Sequence, residues 1–225
     1  VIYTEMQTAV QQCRPLHDNN TISRSKIIET PAGTLVLRDF CSPSLVESLR
    51  AECGLRAFAR LPEREHQLLL NIARRTDSAL TLAHTLTGEI IGEVTLAPAD
   101  AWWEGLGQAY EIAVQVSSRW RSLGIAHQLL AFALELDALE EIIILAMGLS
   151  WHWDTEGLGL TRLRYRRLIA QLFASYGFSE YLTSEPNIRM DPANILLARI
   201  GRHVSQQHMN HFLNRLLSSQ NLPGL

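Results

Sequence analysis

The segment from Gln108 to Leu149 constrains the fold more than any other part of the chain. In "QAYEIAVQV" the apolar residues alternate, with Tyr110, Ile112, Val114 and Val116 on one face and Glu111, Ala113 and Gln115 on the other, which is the period of a strand. After "SSRWRSLG" the spacing changes. Ile125, Leu129, Phe132, Leu136 and Leu139 step by four and three, which predicts a helix with one buried stripe. "IIILAMGL" then reads as a buried strand. A helix that joins two strands of one sheet crosses over right-handed, so these strands should be parallel neighbours. The class is therefore α/β, with a mixed central sheet flanked by helices.

The rest of the chain fits around this unit. Residues 1–25 are polar and irregular and read as a flexible lead-in. "KIIETPAGTLVLRDF" holds β-prone runs around Pro31-Ala32-Gly33, the mark of a hairpin. In "CSPSLVESLRAE", Ser42 or Ser44 can cap a short helix, and Ser44 with Glu47 has capping-box spacing. A second helix is predicted over "EREHQLLLNIARR" and an antiparallel hairpin from Ala79 to Leu96, followed by a loop with Trp102 and Trp103. Beyond the central unit come a helix over "RLRYRRLIAQLFASYGF", a strand near "NILLARI" and an extra C-terminal helix whose apolar residues are Met209, Leu213, Leu216 and Leu217. No linker divides the chain, so one domain is expected over residues 26–202, with the terminal helix in 203–225.

Composition narrows the function. A net charge of -3 and a pI near 6.3 give no electrostatic reason to expect nucleic acid or an anionic membrane. Cys13, Cys41 and Cys53 contain no C-x-x-C pair, which speaks against a disulfide framework or a thiolate zinc site and for a reducing, cytoplasmic setting. His208 and His211 have no third ligand nearby in sequence, so no metal is expected. Lys26 is the only lysine among 20 basic residues, which a GC-rich genome explains.

The junction "VSSRWRSLGIAHQLL" carries the chemistry. A strand ends, a short loop bears Arg119 and Arg121, and Gly124 opens a helix, so free backbone N–H groups converge at a helix N-terminus as they do in anion sites. It lacks the lysine of a Walker A loop and has one glycine of a G-x-G-x-x-G. Arg121 to Ala126 reads R-x-x-G-x-A.

Placed after a strand with a glutamate and before an amphipathic helix, that hexapeptide resembles the acetyl-CoA motif of the GCN5-related N-acetyltransferase (GNAT) superfamily, (Q/R)-x-x-G-x-(G/A). "WHWDTEGLGLTRLRYRRL" and "DPANILLARIG" further resemble the acetoin-utilisation protein A family, with its W-H-W-D, G-x-G-L and P-A-N before A-R-I-G. The similarity runs from about Gly88 to Gly201. The resemblance implies a GNAT fold and a protein lysine acetyltransferase that uses acetyl-CoA to inactivate an AMP-forming acyl-CoA synthetase.

The resemblance also implies roles. The backbone at Val114 and Val116 pairs with pantetheine; Ser122, Leu123, Gly124, Ile125, Ala126 and His127 present N–H groups to the pyrophosphate, and Arg121 adds charge. Glu111 is the candidate base, although its spacing to Arg121 is one residue off the superfamily pattern and a solvated or salt-bridged carboxylate fits it equally. Phe173 stands where the superfamily often has a tyrosine acting as acid, which leaves Tyr165 and His152 as substitutes, or a thiolate that departs unaided. Asp154 could orient His152. Trp151 and Trp153, with Trp102 and Trp103, read either as walls of the acceptor site or as core. Two other readings stay open: an acetyltransferase for a small amine, and a non-catalytic acyl-CoA-binding module, which the Phe173 departure favours.

Overall fold

The computed structural model of the chain describes residues 23–106 and 109–217. Most of the lead-in read over residues 1–25 and the end of the terminal segment therefore lie outside the described residues. Where the description begins, Ser23 and Arg24 are already bonded to Asp39. β1 (Ser25–Thr30) and β2 (Gly33–Arg38) form the expected hairpin, and Gly33 takes the positive φ its turn needs. There follow α1 (Pro43–Ser48), the two-residue β3 (Arg50–Ala51), α2 (Pro62–Ala73), β4 (Ala79–Thr85) and β5 (Glu89–Pro98). The central unit is β6 (Ala109–Val116), α3 (Ile125–Ala133) and β7 (Ile143–Gly148). The chain continues through α4 (Thr155–Leu158), α5 (Arg162–Ala174), β8 (Ser179–Tyr181), α6 (Pro186–Arg189), β9 (Ile195–Ile200) and α7 (Gln206–Leu216).

The strands make one sheet in the order β1-β2-β4-β5-β6-β7-β9-β8, with β3 beside the start of β5. β6 and β7 are the parallel neighbours that the crossover demanded. β3 also runs parallel to β5; the other pairs are antiparallel. One core lies between the sheet and α3 and α5, built on Tyr110, Ile112, Ile125, Leu129 and Phe173. On the opposite face, α1 and α2 pack through Val46, Leu69 and Leu70 at one end, and α7 packs through Phe212 and Leu216 at the other.

Several elements differ from their sequence reading. α3 stops at Ala133, and a 3-10 turn over Asp137–Glu141 brings Leu139 back to the same core, so the apolar spacing continues although the helix does not. α1 is capped by Ser42, which accepts from Leu45 N at 3.2 Å, while Pro43 fills the first helical position and Glu47 pairs with Arg74. The Ser44–Glu47 capping box is therefore not formed. On α7 the buried residues are Phe212 and Leu216, whereas Leu213 and Leu217 are exposed. Leu216 and Met209 face the core as the spacing predicts, and Phe212 rather than its neighbour Leu213 completes the stripe.

α7 is held by more than apolar area. Arg215 donates to the Trp102 carbonyl and lies over the Trp102 ring, and Ser184 N donates to Leu216 O at 2.7 Å. Phe212, fully buried, meets Trp103 and Tyr181. Phe212→Ala should therefore cost about 3–5 kcal/mol in urea denaturation. A loss below about 1 kcal/mol would mean that α7 is an appendage rather than part of the core.

Candidate active site

β6 and β7 pair only at Ala109↔Ile143, Tyr110↔Ile144 and Glu111↔Leu145. Beyond these rungs β6 stays with β5 as far as Val116, and β7 stays with β9 as far as Gly148. The strands diverge, and a cleft of about 590 Å³ opens between them. This volume is in the range of small-ligand and cofactor sites. Its walls are Ile112 to Val116 of β6, Ala146 to Gly148 of β7, the start of α3, the inner side of α5, and Ala57 and Phe58 from the loop before α2.

At one end of the cleft the turn "RSLG" delivers α3. Ser122 and Gly124 both have positive φ, near 62° and 73°, and no side chain caps the helix. A Cβ on Gly124 would meet nothing within 4 Å, so glycine is needed there for its backbone conformation rather than for space. The first N–H groups of α3 have no intrahelical acceptor, and the helix dipole adds partial positive charge. Ser122, Gly124, Ile125, Ala126 and His127 line the cleft, as do Val114 and Val116; Leu123 instead packs against the core under α3. Arg121 lines the cleft too, but its Nη1 is 2.5 Å from Asp154 Oδ2, so its charge is already partnered.

The W-H-W-D segment splits into separate roles. Trp153 stacks on Tyr165, with ring centroids 5.1 Å apart and planes 6° from parallel, and both line the cleft. Gly148 makes room for this, since a Cβ there would lie 2.6 Å from Ile195 Cγ2 and 3.4 Å from Trp153. His152 packs edge-on against Phe58, and its Nδ1 is 3.2 Å from the Ala57 carbonyl. A carbonyl only accepts, so Nδ1 donates in this contact. Asp154 does not orient His152. It caps α4 at Gly157 N and pairs with Arg121, and that ion pair is the main reason its carboxyl stays below the usual range. Trp151, 43% exposed, borders a second hollow of about 290 Å³, together with Arg56, Arg60, His152 and Asp154.

The other tryptophan pair read as a wall of the acceptor site lies elsewhere. Trp103 is 2% exposed and packs on Phe212, and Trp102 is covered by Arg215. Neither lines the cleft or the hollow beside it. The indoles serve the core beneath α7.

Glu111 holds the last paired rung before the strands part, next to Ile112 where the cleft wall begins, and does not itself line the cleft or the hollow. Burial, and then the charges of Asp100 and Glu185, push its carboxyl up to about 7. Tyr165 keeps its proton more firmly than an exposed phenol because it is buried. Phe173 lines the cleft and packs against Phe178.

Sequence reading missed a set of buried carboxylates near the cleft. Glu52, on the residue after β3, accepts from Gly54 N at 2.8 Å, Cys53 Sγ at 3.0 Å and the Ser117 hydroxyl, and pairs with Arg119. β3 reaches this position because β6 leaves the start of β5 uncovered. Gly54 allows the close approach, since a Cβ there would lie 2.5 Å from the Ser117 and Ser118 hydroxyls. Glu65 and Glu93, both fully buried, stand behind Ala57 and Phe58. The available signal was Glu93 itself, a carboxylate inside the strand "IIGEVTLA".

The fold and the cleft define an N-acetyltransferase of the GNAT class, and the family model described as "Acetyltransferase (GNAT) family" matches residues 44–147. The chain is 30% identical over 190 residues to the acetoin utilization protein AcuA of Bacillus subtilis, a match that spans 82% of this chain and 90% of the relative. The AcuA protein of Bacillus licheniformis is 28% identical over 193 residues, covering 84% and 91%. A crystal structure of an acetoin utilization protein from Exiguobacterium sibiricum superposes with a TM-score of 0.82 at 29% identity, over 87% of this chain and 94% of that one. The chain belongs to the AcuA family.

Glu52 supplies a test of how the turn at the cleft is fixed. Burial alone would raise its pKa, but the hydrogen bonds from Cys53, Ser117 and Gly54, with Arg119 nearby, lower it overall. A depressed carboxylate contributes stability above its unfolded pKa, near 4.5, and that contribution is lost as pH falls through the lower folded value. Glu52→Gln puts a donor among donors and should cost about 1–3 kcal/mol at pH 7. The difference should shrink in urea titrations below about pH 4. Equal stability of the two proteins at pH 7 would show that Glu52 does not hold the turn.

Proposed function

We propose that the chain transfers the acetyl group of acetyl-CoA to the Nζ of a lysine on a protein partner, an AMP-forming acyl-CoA synthetase. The observation that carries this reading is Glu111, a carboxyl pushed up to about 7 at the point where β6 and β7 part. Acetyl-CoA supplies an activated acyl group as a thioester. The residues present suit it. The β6 edge past Glu111 is free of β7, the cleft is largely apolar, and the uncapped α3 N-terminus offers N–H groups to an anionic end. Support for a protein acceptor comes from the second hollow, which reaches the surface at exposed Arg56, Arg60 and Trp151 and so suits a side chain delivered from another surface.

A lysine with a pKa of about 10.4 is neutral in about one molecule per thousand near pH 7.4, a handicap of about 4 kcal/mol. Glu111, with a pKa near 7, is a far better match for taking that proton than an ordinary carboxylate. Tyr165 is taken as the donor toward the leaving sulfur, because its buried hydroxyl holds a proton in the cleft wall beside Trp153. Arg121, tied to Asp154, fixes the turn before α3 rather than serving as a free countercharge.

Incubation with acetyl-CoA and a purified acyl-CoA synthetase should add one acetyl group to the synthetase, read by intact mass, with loss of its activity. Thiol release with spermidine but not with the synthetase would replace this reading with a small-amine one. Gly124→Glu should abolish acetyl-CoA binding in calorimetry while the fold is kept, since it strains a positive φ and sets negative charge at the α3 N-terminus. For the wild type, kcat/KM should rise with pH through about 7, because the base must be ionised. Glu111→Gln should lose that limb and about 10² to 10⁴ of turnover with acetyl-CoA affinity intact. Near-normal turnover in the variant would make Glu111 structural.

A further inference from the structure

Behind the wall formed by residues 57–59 lies a polar cluster that the reaction above does not use. Glu93 on β5 and Glu65 on α2 are both 0% exposed. Gln115, the partner of Glu93 across β5 and β6, donates Nε2 to Glu93 Oε1 at 3.3 Å and accepts from Ala57 N at 2.5 Å. Glu65 Oε1 accepts from Phe58 N at 2.7 Å and from Ala59 N at 2.8 Å. The three consecutive amides of the wall thus end on buried side chains. Arg60, which follows, has a positive φ of 64°, rare for a residue with a side chain.

The other oxygens of the two carboxyls, Glu65 Oε2 and Glu93 Oε2, are buried without a hydrogen-bond partner among the described residues. Two carboxylates in one dry site do not both stay ionised. A proton on Glu93 Oε2 would give that oxygen a hydrogen to donate, and Glu65 Oε2 is the unpartnered acceptor on the facing helix. Around Glu93, α2 presents Glu65, β6 presents Gln115, and β4 places Leu82 at the paired position. Glu52 on the neighbouring turn is bound to Gly54, Ser117 and Arg119, and Arg56 and Arg60 border the outer hollow.

We propose that Glu65, Glu93 and Gln115 are positioning residues which, with a single proton shared between the two buried carboxyls, hold the 57–59 backbone as the acceptor-side wall of the cleft. The acceptor side is taken from the function proposed above; the proton and the wall are not. Burial, and then the charge of Glu65, push the Glu93 carboxyl up to about 8. Above that pH the proton leaves to solvent, two buried negative charges face each other, and their repulsion displaces the side chains that hold the amides of residues 57–59.

The sign follows from linkage. A carboxyl whose pKa is raised on folding opposes folding increasingly as pH climbs from its unfolded value, near 4.5, to about 8, and by a constant amount beyond. Glu93→Gln mimics the protonated form and can still donate toward Glu65. Its melting temperature should therefore exceed that of the wild type by a margin that opens between pH 4.5 and 8 and then levels. Hydrogen exchange of a peptide covering residues 55–60, corrected for the intrinsic pH dependence, should accelerate above about pH 8 in the wild type and not in Glu93→Gln. The ratio of acceptor KM, wild type over variant, cancels the ionisation of the acceptor itself and should climb by up to about tenfold per pH unit above about 8. A wild-type exchange rate that ignores pH, or a melting margin that does not open, overturns the shared proton whatever the acceptor is. Exchange that opens as expected beside a flat KM ratio keeps the wall but removes it from the acceptor side, and so counts against the proposed function rather than the cluster.

Discussion

Everything at the cleft depends on the parting of β6 and β7 after Glu111 and Leu145. A sheet that stayed paired there would bury the backbone groups of Ile112 to Val116 in a ladder and leave no space for a ligand. Each strand can leave the other because each already has an antiparallel neighbour, β5 for one and β9 for the other. Close packing keeps them apart. Gly92 lets α3 settle onto β5, since a Cβ there would lie 2.9 Å from Leu129 Cδ1, and Gly148 leaves room for Ile195 and Trp153. The cleft is thus a fixed product of topology and two small residues.

The strings that mark the family have physical reasons in this structure. Asn194 of D-P-A-N accepts from Ser150 N and donates to Asn187 O, both at 2.7 Å, while Asp191 takes the Ser150 hydroxyl and Arg162. These bonds fix the turn that carries W-H-W-D. The glycine of A-R-I-G is pressed against the Glu140 backbone, 2.4 Å from where its Cβ would stand. Such motifs hold the site in place as much as they take part in it.

The sequence was most legible where one period dominated. The alternation in β6 and the crossover through α3 gave the parallel pair, and R-x-x-G-x-A located the helix N-terminus that borders the cleft. Local spacing was less informative where distant groups decided the outcome. Arg121 and Asp154 are 33 residues apart, and nothing in the chain announces their pairing. Trp102 and Trp103 read equally as binding surface and as core, because the choice depends on where α7 docks. Glu52, Glu65 and Glu93 look like ordinary charges in the sequence; their importance arises from burial, which helix and strand periods do not resolve at single polar positions.

The two-residue β3 has a consequence out of proportion to its length. Through Glu52 it bolts the segment that leads into the 57–60 wall to Ser117, and from Ser117 the chain runs directly into the turn before α3. The two ends of the cleft therefore share one mechanical joint. A molecule that stiffens either end lowers the entropy left for the other to lose, and such coupling is equal in both directions.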